Sequence, residues 1–353
     1  MLYVTTLDRS ATFTAQATLE KAAGPDGGLF APFSLPHYTG KSLRALLEQP
    51  FWDCTAAVLN QFFPLRLSGK ALQGGELETP EIVLIRHKIA VAELWDHKTG
   101  SFRGLQALLL DQMGCRSRTQ ELWPMVAMDA ALLFGLYGAL SKSGWIALGE
   151  PVNLAVASGE FTTPMAAWYA RRMGLPLGTV ICVCNENGAP WELLHRGELR
   201  AEESSVATGL PLLDVGLPCN LERLIFETLG PQSVAAYCMA RRRKGMFSLD
   251  PEQQAALREG FAVSVVGEAR AKNLIPHLYH TADYMMSPYT ALIYNGLMDF
   301  RSLEGEGMPA LLLAEESPLI WGGDVLAALG IPVENIVAQI AALQEQAQAR
   351  RRG

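Results

Sequence analysis

Two adjacent carboxylates, Glu315 and Glu316, close the apolar run MPALLLAEESP (308–318). Paired carboxylates can do acid–base work when one is held in a dry site. Neighbours on a strand or loop usually point apart, however, so the pair alone is no catalytic signature. A single arginine, Arg103, opens the inner face of a second apolar stretch, SFRGLQALLLDQM (101–113). Its guanidinium stays protonated at neutral pH, so it can grip a planar anion but cannot act as a nucleophile. His97 lies shortly before it; a lone loop histidine reads as surface before it reads as catalyst. Six cysteines, at 54, 115, 182, 184, 219 and 238, form no CxxC pair and no Cys/His ligand spacing, which argues against a zinc site. Cys182 and Cys184 sit two apart in TVICVCNEN and share a strand face, as small buried residues of a reduced interior do. No G-x-S-x-G, Walker or H-E-x-x-H motif occurs.

The elements that must position these groups are legible from about residue 150 onward. VNLAVA (152–157) is a short apolar run ended by Ser158-Gly159, and MAAWYARRMG (165–174) has helical spacing and a glycine stop. GTVICVCNENG (178–188) gives a second strand, helical stretches follow near 218–229 and 231–243, and 308–318 gives a further strand before the helix GGDVLAALG (322–330). Continuous apolar strands alternating with helices predict an α/β fold, a parallel sheet flanked by helices, with 152–157, 179–184 and 309–314 as parallel neighbours. Ligands in such sheets sit at the carboxyl ends of the strands. The loops 157–164, 185–188 and 315–317 therefore mark the candidate cleft, with Ser158, Gly159, Glu160, Phe161, Thr162, Asn185, Asn187, Glu315 and Glu316 on them. The first hundred residues differ: GPDGG (24–28) and LSGKALQGGELETP (67–80) are turn-rich, and the segment reads as a small α+β N-terminal domain ahead of a large domain over 101–353.

The chain has 353 residues, 49% hydrophobic and 18% charged, with a formal net charge of −7, a well-buried globular composition that does not forecast nucleic-acid binding. The basic runs 241–244 and 350–352 read as solvated surface. LWPMVAMDAALLFGLYGAL (122–140) approaches the length of a membrane span, but Pro124 and Asp129 interrupt it and Gly135 and Gly138 suit close packing, so a buried helix is expected and no membrane. The start, MLYVTTLDRS, lacks a basic segment followed by an apolar core, and the expected location is cytoplasmic.

Several stretches, in order, resemble the threonine synthase family, the fold-type-II pyridoxal-phosphate lyases. GPDGGLFAP (24–32) is similar to the family's N-terminal DGGL turn, and AELWDHKTGSFRG (92–104) to E-L-F-H-G-P-T-x-A-F-K-D. VNLAVASGEFTTPMAAWYARRMGLPLGTVICVCNENG (152–188) resembles the stretch from V-P-x-G-N-F-G-D to A-x-N-x-N; NLERLIFETLG (220–230) and MMSPYTALIYNGL (285–297) also look like family segments.

Four departures fall on the cofactor site that the resemblance implies. The family's Schiff-base lysine, after phenylalanine, corresponds to Arg103 after Phe102, which keeps the charge and loses the amine chemistry. The phosphate-cradling S-G-D-T-G loop has no counterpart; GCRSRTQ (114–120) runs straight into the 122–140 stretch, as though a small cofactor domain were deleted there. G-N-F-G-D has become Gly159-Glu160-Phe161-Thr162-Thr163, which sets a carboxylate near the expected phosphate. T/S-A-H-P-A-K-F has become Ala314-Glu315-Glu316-Ser317-Pro318-Leu319-Ile320. Together they imply a pseudoenzyme without pyridoxal phosphate that acts in binding, regulation or scaffolding; from the cysteine spacing no metal is expected either. The expected ligand is small and anionic or an amino acid, and a homo-oligomer or protein partner is expected to cover the exposed cleft. An active family enzyme on a phosphorylated amino acid, and an enzyme of another class in the remodelled cleft, are the rivals. Arg103 itself is expected to be a buried or half-buried cation paired with Glu160, Glu315 or Glu316.

Overall fold

In the computed structural model the described residues are 1–353 except 75, 76, 87, 96, 97, 116, 202, 203, 306 and 353; His97 thus lies outside them. The centre is a six-stranded sheet in the order β10-β7-β6-β11-β5-β4. Its strands are β4 (Glu81–Ile85), β5 (Ile89–Glu93), β6 (Val152–Ala157), β7 (Leu177–Cys184), β10 (Phe261–Val265) and β11 (Ala310–Ala314). All neighbours run parallel except the edge pair β4–β5. The three strands expected to be parallel neighbours are β7, β6 and β11, side by side.

The continuous apolar runs follow from burial on both faces. Leu154, Val156, Val180 and Cys182 point into one core with the helices Phe51–Phe62, Trp123–Lys142 and Thr162–Arg172. Ala155, Ala157, Ile181 and Val183 point into the other, with Glu268–Thr281 and Pro288–Glu304. Cys182 and Cys184 share the first face, as their spacing requires.

A three-stranded antiparallel sheet, β2-β1-β3 (Phe13–Thr14, Leu2–Thr5, Phe30–Pro32), forms the N-terminal part; β8 (Glu198–Arg200) and β9 (Met246–Ser248) form a two-stranded ribbon. The boundary expected at residue 100 is corrected. β4 and β5 already belong to the large sheet, because Ile89–Ala92 are fully buried beside β11. The same core joins the N-terminal residues Tyr3 and Phe30 to the large sheet.

The Trp123–Lys142 helix is long and apolar enough to cross a membrane, but 89% of its most apolar window is buried inside the fold. A Cβ on Gly138 would lie 2.7 Å from the Leu47 carbonyl oxygen, and one on Gly135 would lie 2.8 Å from the Phe51 ring. Both glycines therefore permit close helix approach. Gly138→Val is expected to destabilise the fold by about 2 kcal/mol or more, since a backbone carbonyl cannot give way as a flexible side chain can. Denaturant unfolding reads this as a lower midpoint with an unchanged slope.

Candidate functional site

The carboxyl end of β11 is stitched to the start of the helix Phe102–Gln112. The Phe102 N–H donates to the Glu315 carbonyl at 2.7 Å, and the Ser101 hydroxyl donates to Glu316 Oε1 at 2.7 Å. Ser101 also caps the helix, its Oγ accepting from the Arg103 N–H at 3.2 Å. Arg103 is thereby held beside Glu315 and Glu316, but its side chain is exposed and makes no ion pair among the described residues. The expectation of a buried, paired cation is corrected: a residue in the first turn of this helix projects over the cleft.

The end of β6 makes the facing wall. Gly159 (φ +40°) and Phe161 (φ +60°) are left-handed, and the Phe161 N–H donates to the Ser158 carbonyl at 2.7 Å. The turn sends Phe161 into the core, 5.6 Å from the Phe261 ring, and leaves Ser158, Gly159, Glu160 and Thr162 facing the cleft. Glu160 Oε2 accepts from the Cys219 N–H at 2.9 Å, and Thr162 Oγ1 donates to Gln120 Oε1 at 3.0 Å.

Two cavities meet at this place and share Arg103, Gln106, Gln120 and Glu160. The open one, about 800 Å³, is lined also by Ser101, Arg118 and Cys219. The inner one, about 50 Å³, has Ser158, Thr163, Tyr289, Glu315 and Glu316 on its walls. It has room for a water or a small head group.

Beneath them lies Asp129, the residue that interrupts the apolar 122–140 run. It is 2% exposed and accepts from Gln106 Nε2 and Thr163 Oγ1, both at 2.9 Å. Burial pushes its pKa up to about 7 against those two hydrogen bonds. Burial, then the charges of Asp129 and Glu316, push Glu315 up to about 8, with Arg103 opposing. Burial also raises Glu316, against Ser101, Trp321 and Arg103. The cleft floor therefore holds a proton at neutral pH and can give or take one there.

Of the residues expected in the cleft, Arg103, Ser158, Gly159, Glu160, Thr162, Glu315 and Glu316 come together, and the adjacent acids face one pocket rather than opposite sides. Phe161, Asn185 and Asn187 do not line it. Asn185 Nδ2 donates to Asp214 Oδ1 (2.8 Å) and to Thr208 Oγ1 (3.0 Å), and Asn187 bonds Val206 in both directions, so the 206–214 loop uses both amides. Sequence reasoning missed the roles of Ser101, Gln106 and Tyr289, and held Thr163 only as part of the 157–164 loop. Asp129 carried a signal, an ionisable side chain within an apolar helix.

These residues do not fit a covalently held pyridoxal phosphate. No lysine lines either cavity; Lys98 is exposed and is not among the residues that line them. Glu160, Glu315 and Glu316 present carboxylates where a phosphate would need donors.

The helix-flanked, mostly parallel sheet with its cleft at the strand ends is an α/β architecture. Superposition agrees: pyridoxal-phosphate-bound threonine synthase from Brucella melitensis aligns over 98% of this chain and 94% of its own, with a TM-score of 0.83 and 19% identity. Yeast threonine synthase aligns with a TM-score of 0.80 and 15% identity, over 95% of this chain and 90% of its own. The family described as threonine synthase N terminus matches residues 2–74. Threonine synthase of Corynebacterium glutamicum is 28% identical over 189 residues, which are 51% of this chain and 39% of that protein. Human threonine synthase-like 1 is 26% identical over 175 residues, 49% of this chain and 23% of that protein. The two sequence matches take in less than half the length of those relatives, 39% and 23%. The chain is thus similar to threonine synthases in fold and, over parts of its length, in sequence.

Proposed function

We propose that this chain is a pseudoenzyme that has lost pyridoxal-phosphate lyase chemistry and works by binding a ligand or partner in the remodelled cleft. The observation that carries the reading is Arg103: it stands where the family resemblance puts the reactive lysine, and no lysine lines the cavity it overhangs. The deletion of a small cofactor domain between the 102–112 and 123–142 helices belongs to the same reading; residues 113–122 join these helices directly, and Arg118, Thr119 and Gln120 line the open cleft. An unpaired guanidinium above a protonated carboxyl suits a small ligand with an anionic group on Arg103 and a hydrogen-bond acceptor at Glu315. Leu319 and Ile320, 39% and 47% exposed just beyond the acids, give the rim apolar surface for a partner or a second copy to cover. Six unpaired thiols suit a reducing, cytoplasmic compartment.

The test is borohydride reduction of the purified chain incubated with pyridoxal phosphate. The expected result is no pyridoxyl adduct on any lysine, Lys98 included; an adduct in the parent chain overturns the reading. Arg103→Lys alone is expected not to form threonine, because one amine does not remove the three cleft carboxylates. In a thermal-shift screen of amino acids and phosphate esters, any stabilising ligand is expected to lose its effect in Arg103→Ala.

A further inference from the structure

A second binding feature lies at the far edge of the sheet, away from the cleft. β10, FAVSV, pairs only with β7. The bonds that bracket this ladder, Val180 N–H to the Gly260 carbonyl and Val266 N–H to the Cys184 carbonyl, both at 2.9 Å, fix its parity. Even-numbered residues face β7, so the N–H and C=O groups of Phe261, Val263 and Val265 face the open edge. Among the described residues no hydrogen bond from another element reaches them. Phe261 and Val263 are nevertheless only 6% and 8% exposed, and backbone groups this enclosed ordinarily have partners. The strand carries none of the charges or prolines that blunt natural edges.

A groove of about 320 Å³ runs along this edge between two walls. One wall is Phe300 and Leu303 of the Pro288–Glu304 helix, with Leu303 84% exposed; Glu304 stands beside them, and Asp299 is already taken by Arg270 at 2.6 and 2.7 Å. The other is His195 and Arg258. His195 stacks on Trp191 (5.3 Å, 17°) in the π-helical turn Glu192–Arg196, a geometry frequent at functional sites, and its Nδ1 is buried without a partner. Arg258 is exposed and has no acidic partner among the described residues. Arg171 packs its guanidinium against Gly260 at the same end of the strand.

We propose that this groove binds an extended segment of another protein, which adds to β10 as a strand, with apolar side chains toward Phe300 and Leu303 and an acidic side chain toward Arg258 and His195. Main-chain bonds give such strand addition its affinity, and the alternating side chains give its specificity. The raised walls favour a single extended segment over a second copy, whose own flanking helices would meet them. The inference is independent of the cleft reading.

The probe is a capped, fluorescent peptide of alternating valine and glutamate, titrated against the full chain by anisotropy, with a valine–lysine peptide as comparison. Saturable binding of the glutamate peptide is expected. Arg258→Glu and Leu303→Lys, both at exposed positions, should each weaken it about tenfold or more, and Arg258→Glu should gain affinity for the lysine peptide. Hydrogen exchange should slow at the amides of Phe261, Val263 and Val265 on binding and stay unchanged at Ala262 and Ser264, which the ladder already protects. No saturable binding, equal binding of both peptides, or affinity untouched by both substitutions overturns the proposal. So does a dimer in sedimentation that Leu303→Lys dissociates, which would assign the edge to a second copy.

Discussion

Between pH 5 and pH 8 the parent chain is expected to lose about 3 kcal/mol of stability, and Asp129→Asn combined with Glu315→Gln should remove most of that loss. Asp129 titrates near 7 and Glu315 near 8 in the folded chain, against ordinary values of 3.8 and 4.5. A carboxyl with a raised folded pKa keeps a proton that the unfolded chain has already released. Its contribution is therefore complete below the ordinary carboxylate values and is lost as pH rises through the folded ones. One pKa unit corresponds to about 1.4 kcal/mol. The two groups repel each other and cannot be summed, which brings the combined figure to about 3. Asp214, Glu268 and Asp299 are held low and act in the opposite sense, but their contribution disappears only in the acid range below this window. With an unfolding entropy of about 2.1 cal/mol/K per residue, 3 kcal/mol is roughly 4 °C in Tm. The double variant should match the parent at pH 5 and exceed it by about that amount at pH 8. The Gln106 amide can turn over to offer its oxygen to a carboxamide at position 129, so the hydrogen bond is kept. A parent with a flat pH profile, or a variant with the parent's slope, would show that this floor does not store the proton.

The three central strands β6, β7 and β11 were legible because short, mostly apolar runs mean two covered faces and the helices between them mean parallel neighbours, whereas β10 went unread. The cleft was legible at the strand ends for the same reason. What closes it was not. Ser101 meets Glu316 across 215 positions of sequence, and Asp129 meets Thr163 and Gln106 from three different helices. No local pattern encodes such meetings. Phe161 was misplaced because a left-handed residue turns its side chain out of the expected series, and Asn185 and Asn187 because the 206–214 loop folds back to claim them. β4 and β5 were left in the N-terminal part because the turn-rich segment before them masks where that unit ends.

Arg223→Ala is expected to destabilise the chain by about 3–5 kcal/mol, from a cavity in the core together with buried acceptors left without donors. Arg223 is fully buried and binds three separate pieces of chain. Its Nε donates to the Phe30 carbonyl at 2.9 Å, its guanidinium to Asn220 Oδ1, and Nη2 to the Glu121 carbonyl at 2.6 Å. The bonds tie β3 and the approach to the Trp123–Lys142 helix to the Leu221–Leu229 helix. The preceding residue of that helix, Glu222, accepts from Thr6 Oγ1 and the Leu29 N–H, so the N-terminal sheet is held from two sides. Removing the guanidinium leaves three acceptors without donors inside the protein as well as a cavity, whereas Arg223→Lys keeps the charge but cannot reach three directions from one ammonium. The lysine variant should therefore fall between alanine and parent in denaturant midpoint. Because the lost bonds join the N-terminal sheet to the rest, proteolytic cutting within residues 20–30 should accelerate more than cutting in the loops around β10. Equal midpoints for parent and Arg223→Ala would mean that water or rearranged donors satisfy these carbonyls. Uniform acceleration of cutting would mean that the network stabilises the whole chain rather than this junction.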